Sequence, residues 1–184
     1  MKKVIIHVCC GPCSTEVMHR LSEDHELTVF FFNPNIFPRE EYDRRLSEAR
    51  KYAADRGIPF IEGDYDHDGW LEAVLGLEDE PEGGKRCRAC FAHRLGATAR
   101  NARRTGAEAF TTTLTISPHK NAAAVNSAGE EAGKMEGAAF IAADFKKKDG
   151  FKKSCVCAKE AGMYRQQYCG CEFSKRDRWP QGSL

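Results

Sequence analysis

His7-Val8-Cys9-Cys10-Gly11-Pro12-Cys13 closes the first apolar run of the chain, Val4 to Val8, and puts three thiols where a buried strand breaks into a loop. Neighbouring cysteines reach disulfide geometry only under strain. A metal centre set in a pocket is the more natural use of such a loop. The remainder of the chain is then a scaffold that brings further thiolates, and a substrate, to this point.

Outward from the loop, strand and helix patterns alternate. Short apolar or β-branched runs over 3–8, 27–32, 59–62, 109–114 and 138–143 are expected as strands. Ser14 is the candidate N-cap of a helix over 15–21. Tyr42, Leu46, Ala49 and Ala53 mark a second helix, closed by Gly57 and Pro59, and Trp70, Ala73, Val74 and Leu77 a third. After an acidic, Gly-rich loop over 77–85, the stripe Ala92, Leu95, Ala99 and Ala102 predicts a long helix with Cys87 and Cys90 at its start. Pro118 opens another helix, and 151–162 form the last one before a Tyr- and Cys-bearing tail.

Strands alternating with helices imply right-handed crossovers and a parallel sheet, an α/β fold. With no internal repeat or low-complexity linker, a single domain over residues 1–184 is expected. In such sheets ligands sit beyond the carboxyl ends of the strands, where the strand order switches. The chemically unusual residues fall there: Cys9 and Cys10 after strand one, Asn33 and Asn35 after strand two, Thr111 to Ser117 at and after strand four, Asp144 after strand five.

The composition is that of an ordinary globular protein, 184 residues, 41% hydrophobic and 30% charged. A net charge of +1 gives no global basic field, so RNA binding would rest on local patches. Lys146-Lys147-Lys148, Lys152-Lys153, Arg165 and Arg176 to Arg178 offer one such patch, or simply a solvated edge. The first apolar run is shorter than the roughly 7–15 residues of a secretory core. No stretch approaches the roughly 18 of a membrane span. A cytoplasmic protein without membrane contact is expected. Nine cysteines in such a protein are then not expected to form disulfides.

Their clustering points to metal or redox chemistry. Cys87 and Cys90 stand at i and i+3 on a helical turn, where the macrodipole favours thiolates. Alone, that pair suits zinc, a redox dithiol or an iron–sulfur cluster. Cys169-Gly170-Cys171 places two thiols on a tight turn, and metal ligation there would pin the tail. With Cys9, Cys10 and Cys13 these make seven thiols. One structural zinc takes about four ligands. Seven suit an iron–sulfur cluster with a second metal or a redox pair beside it. Cys155 and Cys157 point apart on their helix and read as small half-buried residues. The hydroxyls of Thr112, Thr113 and Ser117 either bond a polar substrate or cap the following helix. Structural roles are expected for His7 and His119, and surface positions for His19, His25, His67 and His93.

Cys9-Cys10-Gly11-Pro12-Cys13, Asn33-Pro34-Asn35-Ile36, Glu40-Glu41-Tyr42, Cys87-x-x-Cys90 with Arg94-Leu95, Thr112-Thr113-Leu114 with Ser117-Pro118, and Tyr164-Arg165-Gln166-x-Tyr168-Cys169-Gly170-Cys171 together resemble the QueH-type epoxyqueuosine reductases. The six motifs run in order from about residue 3 to residue 174. The resemblance implies a Rossmann-like fold of the kind seen in PP-loop ATPases, with a Cys-rich loop in place of the phosphate loop, so ATP use is not expected. It implies reduction of epoxyqueuosine to queuosine in the anticodon loop of tRNA, without cobalamin, by a 4Fe-4S cluster beside a mononuclear iron and fed by an unidentified electron donor. The implied metal ligands are Cys9, Cys10, Cys13, Cys87, Cys90, Cys169 and Cys171. Cys10 and Cys13 are expected as the catalytic residues, with Asn33, Asn35, Thr112, Thr113, Ser117 and Arg165 as substrate contacts. Cys87, Cys90, Cys169 and either Cys9 or Cys171 would hold the cluster, and the remaining thiolates the lone iron. Cys155 and Cys157 lie outside the family's cysteine pattern. Two other readings are a zinc-stabilised RNA-binding module and a thiol oxidoreductase using Cys87 and Cys90.

Overall fold

The computed structural model describes residues 1–179. Its centre is β1 (Lys2–His7), whose side chains alternate between the two faces of the sheet. Val4 and Ile6 join Val8 in one apolar layer, and Ile5 enters the other. On either side of it lie β2 (His25–Phe31) and β4 (Ala109–Thr112), both parallel, with Val4 in register with Leu27 and with Ala109. The edges are β3 (Phe60–Glu62) and β5 (Ala139–Phe140), giving the order β3-β2-β1-β4-β5.

Helices cover both faces. α1 (Gly11–Ser22) and α2 (Arg39–Ala54) bury Val17, Met18, Leu21, Ala49, Tyr52 and Ala53 against the Val4 side, and α6 (Gly150–Glu160) packs Phe151 there too. α4 (Lys85–Thr105) and α5 (Ala122–Glu136) bury Phe91, Leu95, Ala99, Ala102, Val125 and Ala132 against Ile5 and Phe110. α3 (His67–Ala73) anchors a third, smaller cluster through Trp70 and Val74, shared with Cys90 and Cys171. Strand order reverses between β1 and β4, so the crevice beyond their carboxyl ends is the expected ligand position. Among the described residues no helix is long and apolar enough to cross a membrane.

The α/β reading and its five strands match this architecture, with corrections at the ends. α1 starts earlier than expected: Cys10, not Ser14, is its N-cap, and Pro12 occupies the first turn, where a missing N–H costs nothing. Ser14 lies within the helix and donates to the Gly11 carbonyl at 2.6 Å. Cys13 is thereby fixed on the first turn. Pro118 does not open a helix; Asn121 caps α5, accepting from the Ala124 N–H at 3.0 Å. The chain between β4 and α5 is a 3₁₀ turn, Thr113–Ile116, followed by a hydrogen-bonded turn at Ser117 and Lys120. The tail carries one more helix, α7 (Glu172–Arg178), too short and polar to show a periodic stripe.

Two helix glycines give opposite expectations. A Cβ at Gly133 would stand 2.5 Å from the Ala138 carbonyl oxygen, whereas one at Gly96 meets nothing closer than 3.6 Å. Gly96→Ala is therefore expected to stabilise by about 0.5–1 kcal/mol through helix entropy. Gly133→Ala should cost about 1–3 kcal/mol as the turn after α5 is pushed away. Thermal or urea unfolding of the two variants checks the pair.

Candidate metal centre and substrate cavity

β1 delivers its cysteines to the crevice through a rigid linkage. The buried His7 ring accepts from the Thr112 hydroxyl at Nδ1 (2.9 Å) and donates from Nε2 to the Phe32 carbonyl (3.2 Å), joining the ends of β1, β4 and β2. That tautomer also lets Thr112 Oγ1 accept from the Leu114 N–H at 3.1 Å. Burial, reinforced by the Arg94 charge, lowers the His7 pKa to about 3, so the ring is a neutral strut.

Just beyond, the sulfurs of Cys9, Cys10 and Cys13 lie within 4.8 Å of one another. Hydrogen bonds from Cys10 and then Cys13 hold the Cys9 thiol well below its ordinary pKa. Cys10 gains from Cys13, but its own donation to Cys9 and burial leave it pushed up to about 12. Cys13 is raised well above the thiol range by its donation to Cys10 and Cys9. Three adjacent thiols share their protons and yield only one ready thiolate. All three ionise together only around a cation.

The other four thiols arrive from α4 and the tail. Burial pushes the Cys87 and Cys90 thiols up, and it pushes Cys171 up to about 11. The lowering expected from the helix N-terminus is overridden by desolvation. Cys169 is the common neighbour whose charge is felt at Cys87, Cys90 and Cys171. No second trio of ligand atoms among the described residues comes within 4.8 Å, so this group is wider than the Cys9, Cys10 and Cys13 set. A tetrahedral zinc with Zn–S near 2.3 Å draws its sulfurs to roughly 3.8 Å apart. The tight trio therefore suits one ion, and the wider four suit a larger, polynuclear group.

The tail is held in place by Arg45 on α2, a buried guanidinium paired with Glu41 at 2.7 Å. Its Nη1 and Nη2 donate to the carbonyls of Cys169 and Tyr168 at 2.9 and 3.2 Å. Gly170 turns the chain at φ +137, a region reserved for glycine, and its carbonyl accepts from the Phe37 N–H at 2.9 Å. Gln166 Nε2 reaches the Cys10 sulfur at 3.0 Å.

Cys9, Cys13 and Cys169 open onto a cavity of about 950 Å³, lined also by Thr113, Ser117 and Lys120 and by Arg165. Thr113 Oγ1 is buried there without a partner, a donor and acceptor left for something else. The Lys120 ammonium is buried, which would lower its pKa, yet the Cys169, Cys9 and Cys13 sulfurs raise it above the ordinary lysine value. It is a fixed positive charge beside the sulfurs.

Of the substrate contacts expected from sequence, Thr113, Ser117 and Arg165 line this cavity. Asn33, Asn35 and Thr112 stand behind it, fully or almost fully buried. Asn33 bridges the Val8 carbonyl (2.8 Å) and Arg94 Nη2 (2.6 Å). Cys155 lies on the outer cavity wall and Cys157 away from it, both only half-buried. His67 is no surface residue: its ring joins the Pro34 carbonyl (2.6 Å) and Glu172 (3.2 Å). Sequence reading missed Trp70, Arg45, Arg94, Lys120 and Gln166 as site residues. Arg94 was recoverable, since it stands at i+4 from Cys90.

A parallel sheet in this order, with a sulfur-lined crevice at its switch point, defines a Rossmann-like α/β protein with a thiol trio spaced as for a metal ion. Residues 4–177 match the family described as epoxyqueuosine reductase QueH, and the chain belongs to that family. A Streptococcus pyogenes relative named epoxyqueuosine reductase QueH is 39% identical over 94% of this chain and 70% of its own length. The Thermotoga maritima relative of the same name is 36% identical over 97% of this chain and 93% of its own length. Among solved structures, the U34-tRNA thiolase NcsA from Methanococcus maripaludis with its [4Fe-4S] cluster shares the fold, with a TM-score of 0.59 at 16% identity over 94% of this chain. The chain spans only 61% of that thiolase. A predicted subunit of tRNA methyltransferase from Methanocaldococcus jannaschii gives the same TM-score at 11% identity over 89% of this chain and 91% of its own.

The tail makes a direct prediction. A Cβ at Gly170 would adopt a forbidden φ and press to 3.1–3.3 Å on Ile36, Arg45 and Asn35. Gly170→Ala is expected to cost about 1–3 kcal/mol and to weaken metal retention about 10–100-fold, read by metal analysis after chelator challenge.

Proposed function

We propose that this protein is a cytoplasmic, single-domain enzyme that reduces epoxyqueuosine to queuosine in the anticodon loop of tRNA. It would draw single electrons from a low-potential carrier. The observation that carries the reading is a cavity at the switch point where Cys9 and Cys13 of the tight trio meet Cys169, the common neighbour of Cys87, Cys90 and Cys171, together with family membership. A volume near 950 Å³ falls within the range of about 300–1,000 Å³ usual for small-molecule sites, enough for a modified base and its sugar.

We assign Cys87, Cys90, Cys169 and Cys171 to a 4Fe-4S cluster and Cys9, Cys10 and Cys13 to a mononuclear iron. When bound, these groups supply single electrons and a Lewis acid. Removing the epoxide oxygen as water to leave an alkene takes two electrons and two protons. The chain's own residues prepare that event. Thr113 and Ser117 hydrogen-bond the hydroxyls of the bound nucleoside, and Arg165 meets a flanking phosphate. Lys120 places a fixed charge where the opening epoxide oxygen becomes negative. Leu114, Pro12 and Phe151 add an apolar stretch to the cavity wall.

The test is an anaerobic assay of the iron- and sulfide-loaded protein with dithionite and tRNA carrying epoxyqueuosine, followed by nucleoside mass analysis. The expected product nucleoside is lighter by one oxygen. Lys120→Met should retain iron and lower turnover on the order of 10²–10³-fold, as loss of an electrostatic stabiliser does. A wild-type protein that takes up zinc but no iron, and leaves the epoxide intact, would overturn the reading.

A further inference from the structure

Trp70 is fully buried on α3, and its indole Nε1–H has no hydrogen-bond partner. It shares the small apolar cluster beneath the tail with Cys90, close enough for its N–H to favour the ionised form of that thiol. A second donor converges on the same atom: Arg94, one turn further along α4, brings Nη1 to 3.9 Å from Cys90 Sγ. Arg94 Nη2 is taken by Asn33 at 2.6 Å, and Nε is buried and unpartnered. The negative groups this guanidinium faces are the sulfurs of Cys90, Cys9 and Cys169.

The contrast with the neighbouring thiols is informative. The Cys87 and Cys171 sulfurs accept backbone N–H groups, from Gly83 at 3.2 Å and Ser174 at 3.4 Å. Among the described residues, only at Cys90 do an unpartnered indole N–H and a guanidinium stand beside one buried sulfur. Asn33, itself tied to the end of β1, holds the guanidinium in that pose. An unsatisfied N–H and a buried cation are both costly unless an anion answers them.

We propose that Trp70 and Arg94 set the reduction potential of the bound cluster by donating hydrogen bonds to the Cys90 sulfur. The inference rests on Cys90 being a cluster ligand, as assigned above. A reduced cluster carries one more negative charge, partly on its sulfurs, so donors and a cation beside one of them favour the reduced form. Both residues are positioning residues and touch no substrate. They make the site easier to reduce by whatever one-electron carrier serves it.

The experiment is a redox titration, followed by electron paramagnetic resonance, of the full chain reconstituted anaerobically with iron and sulfide. The wild type is compared with Trp70→Phe, which keeps the bulk and removes the N–H, and with Arg94→Gln. With iron and sulfide contents unchanged, each variant is expected to shift to a more negative midpoint. At the wild-type midpoint, the ratio of reduced to oxidised protein should fall about three- to tenfold, tenfold being about 59 mV for a one-electron couple. Loaded variants that titrate at the wild-type midpoint overturn the proposal. A wild-type protein that forms no cluster instead overturns the cofactor assignment itself. Resonance Raman spectra of the wild-type holoprotein, reconstituted from apoprotein equilibrated in H2O or D2O, need no variant. An isotope shift of the iron–thiolate stretch is expected, and its absence contradicts the proposal even where the variants fail to load.

Discussion

Seven thiols crowded at one end of a parallel sheet repel one another as soon as they ionise, and everything around them manages that repulsion. At Cys9, Cys10 and Cys13 the protons are shared, so that one sulfur ionises easily and two are held back. At Cys87, Cys90 and Cys171 burial keeps the thiols protonated. Against them stand Arg94, Arg45 and Lys120, each feeling the negative charge of nearby sulfurs. Such a site gains most from cations that replace the protons, and metal binding then becomes part of folding free energy.

The fold supplies the geometry for this at little cost. β1 ends in the crevice, α1 begins there with Cys10 as its cap, and the long α4 starts there with Cys87 and Cys90 in its first two turns. The fourth side is closed by the tail, whose own apolar burial is small. Arg45, the Gly170 turn and the stack of Phe37, His67, Trp70 and Phe173 hold it against α2, α3 and the end of β2. Because two of the seven thiols sit on that tail, a metal held by them would stabilise the tail and be stabilised by it.

The architecture was largely legible from the sequence, because buried parallel strands and amphipathic helices write their periods plainly. The gathering of Cys9, Cys10 and Cys13 was legible too, since their spacing at the end of a strand already places them together. What escaped was whatever depends on three dimensions. Asn33 and Asn35 follow a strand end, as ligand-contacting residues do, yet lie behind the cavity, and Asn33 is spent on Arg94 and Val8. Trp70 looked like one more apolar residue of a helix stripe, and nothing local says that its N–H is buried without a partner beside Cys90. Lys120 sits in a turn whose path follows from the packing of α5, not from any pattern of its own. The helix-terminus argument for acidic thiols at Cys87 and Cys90 failed because desolvation, invisible in sequence, outweighs the dipole.

The division of the sulfurs into a wide group and a tight group is the claim on which the rest depends. Anomalous diffraction at the iron edge, from crystals of the anaerobically reconstituted protein, tests it most directly. The account expects a strong iron signal among Cys87, Cys90, Cys169 and Cys171, and a separate, weaker one at Cys9, Cys10 and Cys13. A lone zinc signal, or iron confined to one of the two groups, would contradict it.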